Sequence, residues 1–198
     1  MAHARDLPDP LVVLSGTAVP VAPGGQATVQ VTVTNRCSIV EGYRLDVLGD
    51  GVAEWARVDP GEVSMMPKQE TTASVVFSPP AGPAAPGGSY PFCVRAQSLN
   101  DADSSAVAEG EVQVGTIAGL QAKLVPLTSS GRWRGRHSLH ISNWGNAPAR
   151  LRLKATDPDD ALGIMSRPNL LDVPVGVTVV SGVSIDTLLG STSTKRLR

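Results

Sequence analysis

Groups that carry chemistry are scarce in this chain. Its 198 residues include three histidines and two cysteines. His3 lies in the N-terminal stretch, and His137 and His140 stand alone. No serine sits in a nucleophile elbow, no histidine pair has metal-ligand spacing, and no glycine-rich loop has a phosphate-binding form. An enzyme would therefore lack candidate catalytic residues, and neither a metal nor a cofactor is expected. Apolar runs are short. None reaches the roughly 18 residues of a membrane-spanning helix. Leu11 to Leu14 is too brief for the apolar core of a signal peptide, and prolines and aspartates precede it. The expectation is a cytoplasmic chain, or one exported without a cleaved signal.

Aromatic residues are also few, 4% of the chain, beside 20 glycines and 16 prolines. Val, Thr and Ala fill the regular stretches. That mixture suits an all-β chain with many turns. Ala27, Val29, Val31 and Val33 alternate with Thr28, Gln30, Thr32 and Thr34, which predicts a strand with one wet face. Alternation also predicts strands at Leu11–Ser15 with a kinked continuation, Tyr43–Leu48, Glu70–Phe77, Tyr90–Ala96 and Val107–Val114. Val52–Val58 is a short edge candidate. Pro23-Gly24-Gly25, Gly49-Asp50-Gly51 and Asp59-Pro60-Gly61 mark turns. About seven strands in this span is the count of an immunoglobulin-like sandwich.

A shorter version of the design returns later. With Asn35 set against Asn143, Val31 and Val33 meet Leu139 and Ile141. Arg44-Leu45-Asp46-Val47 meets Arg150-Leu151-Arg152-Leu153 if the turn is two residues shorter. Thr71, Ala73, Val75 and Phe77 meet Val179, Ser181, Val183 and Ile185. The expected organisation is a flexible arm (1–10), a sandwich (11–115), a linker (116–119), a second sandwich lacking its last two strands (120–185) and a disordered tail (186–198). Either a partner or a second copy completes the later unit, or the chain simply stops early there.

The pattern of Pro-Gly-Gly, alternating Val/Thr, Asn and the stretch Tyr90–Ser98 resembles bacterial tandem immunoglobulin-like accessory domains. These are the CARDB-like and alpha-galactosidase-associated types. The resemblance implies a non-catalytic spacer or binding platform beside hydrolase or membrane-anchor segments.

Charge divides between the halves. Residues 1–115 hold 6 Lys/Arg against 13 Asp/Glu, net −7; residues 116–198 hold 11 against 5, net +6. The division either orients association or reflects two separately solvated surfaces. Arg132, Trp133, Arg134 and Arg136 form a basic loop with an aromatic, and His140, Trp144, Arg150, Arg152 and Lys154 follow closely. These are the candidate binding residues, for a protein partner, self-association, an acidic surface or a glycan. A solvated sheet face is the alternative. Nucleic acid is not an expected partner. Asp157, Asp159 and Asp160, with Asn100, Asp101 and Asp103, read as turn residues before a calcium cage. Cys37 and Cys93 fall near opposite ends of their strands, out of disulfide reach, so two free thiols are expected. The function expected is non-catalytic binding within a larger assembly. The alternative is the carbohydrate- or cell-wall-binding part of a hydrolytic system.

Overall fold

A computed structural model describes residues 8–131 and 133–187. The chain divides after Thr116 into two units. Among the described residues the first holds nine strands: β1 (Leu11–Leu14), β2 (Ala18–Val21), β3 (Ala27–Thr34), β4 (Glu41–Leu48), β5 (Ala56–Asp59), β6 (Glu62–Met65), β7 (Glu70–Phe77), β8 (Gly88–Ser98) and β9 (Ser105–Val114). They form two sheets, β1-β3-β7-β5 and β2-β9-β8-β4-β6. All pairings are antiparallel except β2 with β9. This is an immunoglobulin-like β-sandwich.

The kink expected after Leu14 is a change of sheet: β1 pairs with β3, and β2 crosses to pair with β9. Pro20 is tolerated because β2 is an edge strand. The expected edge strand at Val52–Val58 is only half strand. A 3-10 turn at Ala53–Trp55, closed by Trp55 N donating to Val52 O, delays the strand to Ala56.

Alternation places the core. Val29, Val31, Val33, Ala73, Val75 and Phe77 point in from one sheet; Tyr43, Leu45, Phe92, Val94, Ala96, Val112 and Val114 from the other. The Phe77 and Phe92 rings lie 4.7 Å apart. Gly110 sits opposite Phe92 in the register, and a Cβ there would meet the Phe92 ring at 2.7 Å. The glycine therefore makes room for the aromatic layer.

The second unit holds β10 (Leu120–Val125), β11 (Arg134–Asn143), β12 (Ala149–Arg152), β13 (Leu162–Arg167), β14 (Leu170–Val173) and β15 (Thr178–Thr187). Its sheets are β10-β11-β15-β13 and the pair β12-β14. Their hydrogen bonds repeat those of the first unit at a constant spacing of 108 residues (143 − 35). Asn35 Nδ2 donates to Ile39 O and Met65 O; Asn143 Nδ2 donates to Ala147 O and Val173 O. Asn35 N bonds Gln69 O, and Asn143 N bonds Val177 O. Lys68 and Gly176 hold the same turn with φ of 62° and 71°. Glu41 pairs with Met65, and Ala149 with Val173. Leu45 N bonds Gly61 O, and Leu153 N bonds Asn169 O.

That last pair corrects the expected two-residue shortening. Leu45 corresponds to Leu153, not Leu151, and the turn keeps its length. A two-residue difference occurs elsewhere, at the first strand. Val12 faces Val33, whereas Ala122 is the residue that faces Ile141.

Residues 8–10 of the expected arm and 186–187 of the expected tail fall within the described residues. Pro8 O accepts from Cys37 Sγ, and Asp9 accepts from Ser105 N. At the other end β15 runs through Thr187, and Asp186 bonds Arg134. Residues 1–7 and 188–198 lie outside the described residues. The expected linker is bonded into the second unit: Ile117 N donates to Asn146 Oδ1, and Trp144 N to Gly119 O.

Both cysteines are free. Cys37 is buried, and Cys93 is half-buried and points away from the core between Phe92 and Val94. A thiol reagent is expected to modify Cys93 in the folded chain and Cys37 only with unfolding. Mass mapping after brief labelling checks this, and equal labelling of both would contradict it.

Candidate functional site

The basic residues expected to form one cluster fall on two different sheets. Arg134, Arg136 and His140 share the outer face of β11, since inward His137, Leu139 and Ile141 take the alternate positions. Beside them lie Ser184 and Asp186 on β15, then Met165 and Arg167 on β13. Arg134, Arg136, Arg167 and Asp186 line a depression of about 250 Å³. Arg134 Nε donates to Asp186 Oδ1 at 2.9 Å, which neutralises one cation; Arg136 and Arg167 remain as net positive charge. Arg132 lies outside the described residues.

Arg150 and Arg152 belong instead to β12, and Lys154 follows it. All three are exposed. Arg150 lies 3.5 Å from Asp172 on β14. Both side chains are mostly in water, so that pair contributes little. A cleft of about 480 Å³ opens beside Lys154 and is lined by Leu153, Ala155, Ile164 and residues 165–169. Trp133 and Trp144 are 59% and 63% exposed. Trp144 occupies the turn between β11 and β12.

Arg167 escaped the sequence reading because Leu162–Arg167 lacks clean alternation. The constant 108-residue spacing finds it, since it sets Arg167 on Asp59 at the end of β5.

His137 is not a lone histidine. It is buried, its Nδ1 lies 2.6 Å from Pro126 O, and its Nε2 lies 2.9 Å from Ser129 Oγ. A carbonyl only accepts, so Nδ1 carries the proton. The pair ties the 126–129 segment to β11, and neither residue lines the two clefts above. Two of the aspartates act as turn residues. Asp157 Oδ2 accepts from Ala161 N and Leu162 N, and Asp101 Oδ1 from Asp103 N.

The first unit carries its own buried polar network. Tyr43 Oη donates to Asn35 Oδ1, which also accepts from Cys37 N. Glu41 Oε1 accepts from Ser98 Oγ, Asn100 Nδ2 and Gly42 N. Burial, then the bond to Cys37, then the nearby Cys37 and Glu41 charges push the Tyr43 phenol well above its usual value. The folded chain thus holds this proton more tightly than the unfolded chain. The stability it contributes is full below the unfolded tyrosine value of about 10 and is lost as pH rises toward the folded value. Unfolding midpoints are expected to fall from about pH 10 upward, with a weaker slope in Tyr43→Phe. Denaturant titrations between pH 8 and 11 check it; equal slopes would refute it.

No family model and no curated protein matches the chain. Among solved structures it is similar to the E. coli chaperone DraB: 14% identity, 91% of this chain and 86% of that one, TM-score 0.38. It is similar to the Pseudomonas aeruginosa CupB2 chaperone: 12% identity, 88% of each chain, TM-score 0.38. It is also similar to a PapD-like domain of human CEP192: 14% identity, 54% of this chain and 84% of that one, TM-score 0.36. These three are two chaperones and a PapD-like domain, not CARDB-like or alpha-galactosidase-associated accessory domains. The resemblance drawn from Pro23-Gly24-Gly25, the β3 alternation and Tyr90–Ser98 is therefore withdrawn. Those residues encode strand and turn geometry common to many sandwiches. No helix of the described residues is long and apolar enough to cross a membrane.

Proposed function

We propose that the chain is a non-catalytic protein-binding module of a larger assembly, contacting its partner through the second unit. In this reading the chain is two immunoglobulin-like sandwiches in tandem, over 11–115 and 120–185, and among the described residues the second has no counterpart of β8 or β9. It works in the cytoplasm, where both thiols stay reduced. One observation carries the reading: interior positions that are closed in the first unit stand half open in the second. Val31, Tyr43, Leu45 and Val75 are 0–4% exposed, whereas Leu139, Leu151, Leu153 and Val183 are only half-buried. Apolar surface left this way favours association, and the exposed cations beside it favour an acidic partner. Cross-linking of the full chain in its native extract is expected to recover a heteromeric or self-associated species. Recovery of monomer alone would count against the reading.

The exposed indoles of Trp133 and Trp144 support a second reading, contact with a glycan. Retention of the chain on insoluble polysaccharide, lost in Trp144→Ala, is the expected result there. No retention removes it.

A further inference from the structure

We propose that the edge of β12 left unpaired among the described residues takes up an extended strand of another polypeptide, in the place β8 holds beside β4. The strand presents alternate apolar side chains inward and Asp or Glu outward. This rests on the protein-binding reading above and names the partner's chemistry.

The corresponding strands fix the geometry. β4 pairs with β6 on one side and β8 on the other. β12 pairs with β14 in the β4-β6 register, and among the described residues nothing pairs along its other side. In the first unit Ala96 and Val94 of β8 face Leu45 and Val47, and Phe92, Val94 and Ala96 close the core. Among the described residues no such strand lies beside β12, which accounts for the half-open Leu151 and Leu153 and for the cleft lined by Leu153 and Ile164. An unpaired edge next to uncovered apolar side chains is the surface that strand addition uses.

Charge states what the strand carries. On the outer face of β4, Arg44 bonds Glu62, and Asp46 bonds Arg95 of β8 at 3.0 Å. At the matching places stand Arg152, the last residue of β12, and Lys154, two residues beyond it. The residue at the Glu62 position is Leu170, which faces Arg152. Neither cation has an acidic partner among the described residues. A strand in the β8 position sets its outward residues against both, at the places of Gln97 and Arg95. Acids there complete two cross-strand pairs. The same arithmetic rejects the β8 of a second copy, whose Arg95 would meet Lys154. The cations thus act against self-exchange as well as for an acidic partner.

Apolar burial supplies affinity and the exposed charges supply preference, each pair shifting affinity by a factor of roughly 1.5–5. The test uses the full chain and two synthetic peptides. One is residues 88–98 as they stand, GSYPFCVRAQS. The other carries Arg95→Glu and Gln97→Glu. The acidic peptide is expected to bind about tenfold more tightly at low salt, with the preference shrinking as salt rises. It is expected to protect amides in 149–155 from hydrogen exchange. Arg152→Glu with Lys154→Glu is expected to reverse the preference. Absence of binding, binding without that protection, or a preference that the double reversal leaves unmoved overturns the proposal. If cross-linking still finds a partner, the broader reading survives that failure. If cross-linking finds only monomer while the peptide result holds, the failure belongs to the broader reading alone.

Discussion

Asn35→Ala is expected to lower the unfolding free energy of the first unit by about 3–5 kcal/mol, among the largest effects a single substitution gives. Asn35 is fully buried. Its Nδ2 reaches three carbonyls, of Ile39, Met65 and Met66, at 3.0–3.1 Å. Its Oδ1 accepts from Cys37 N and Tyr43 Oη. Met66 O keeps its bond from Gln69 N, but alanine takes the side-chain partner from the other four groups, at a cost of about 1–3 kcal/mol for each that water cannot reach. Asn35→Asp is the isosteric control. It keeps the volume but sets carboxylate oxygens against three carbonyls, so it is expected to destabilise at least as much. Trp55 is the one tryptophan of the first unit and reports its unfolding. A loss below about 1 kcal/mol would mean that water replaces the side chain.

The second large effect is an asymmetry between two identical residues. Leu45 and Leu153 make the same backbone bond at corresponding positions. Leu45 is 4% exposed, and Leu153 is half-buried. Truncating a fully packed leucine to alanine costs about 2–5 kcal/mol, because a cavity adds to the lost transfer energy. Leu45→Ala is expected to fall in that range. Leu153→Ala leaves no enclosed cavity and is expected to cost about 1 kcal/mol or less. Trp55 follows one unit, Trp133 and Trp144 the other, so denaturant curves read by fluorescence separate the two. Equal losses would show that the second interior is as closed as the first.

The two leucines also show how much of the fold was legible. Strands with long, strict alternation announced themselves: β3, β7 and β8 each bury one side and wet the other. Some strands of four residues, such as β6 with EVSM, carry too few alternations to register. β13 interrupts its pattern with Gly163 and Ser166. The misplaced match of Arg44-Leu45 to Arg150-Leu151 has a physical origin. Residues 150–153 read Arg-Leu-Arg-Leu, and an alternating strand looks the same after a two-residue step. Side-chain pattern cannot choose between those registers. Backbone hydrogen bonds can, and they select Leu153.

The candidate site was legible as composition but not as geometry. Nearness along the chain suggested one basic patch. β11 and β12 follow each other in sequence yet belong to different sheets, so Arg134 and Arg136 part from Arg150 and Arg152. Arg167, distant in sequence, joins the first group through β15.

From β3 to β7 the two units share segment length and strand register, so their segments are interchangeable parts. Residues 27–77 grafted over 135–185 would meet every turn at its own length and every strand in its own register. Such a chimaera carries Asp46 where Lys154 stood and Glu62 where Leu170 stood. The acceptor edge would then present the charge that β8 already answers. If β12 takes up a strand as proposed, the chimaera would accept the β8 of its own copies, which Lys154 disfavours in the natural chain.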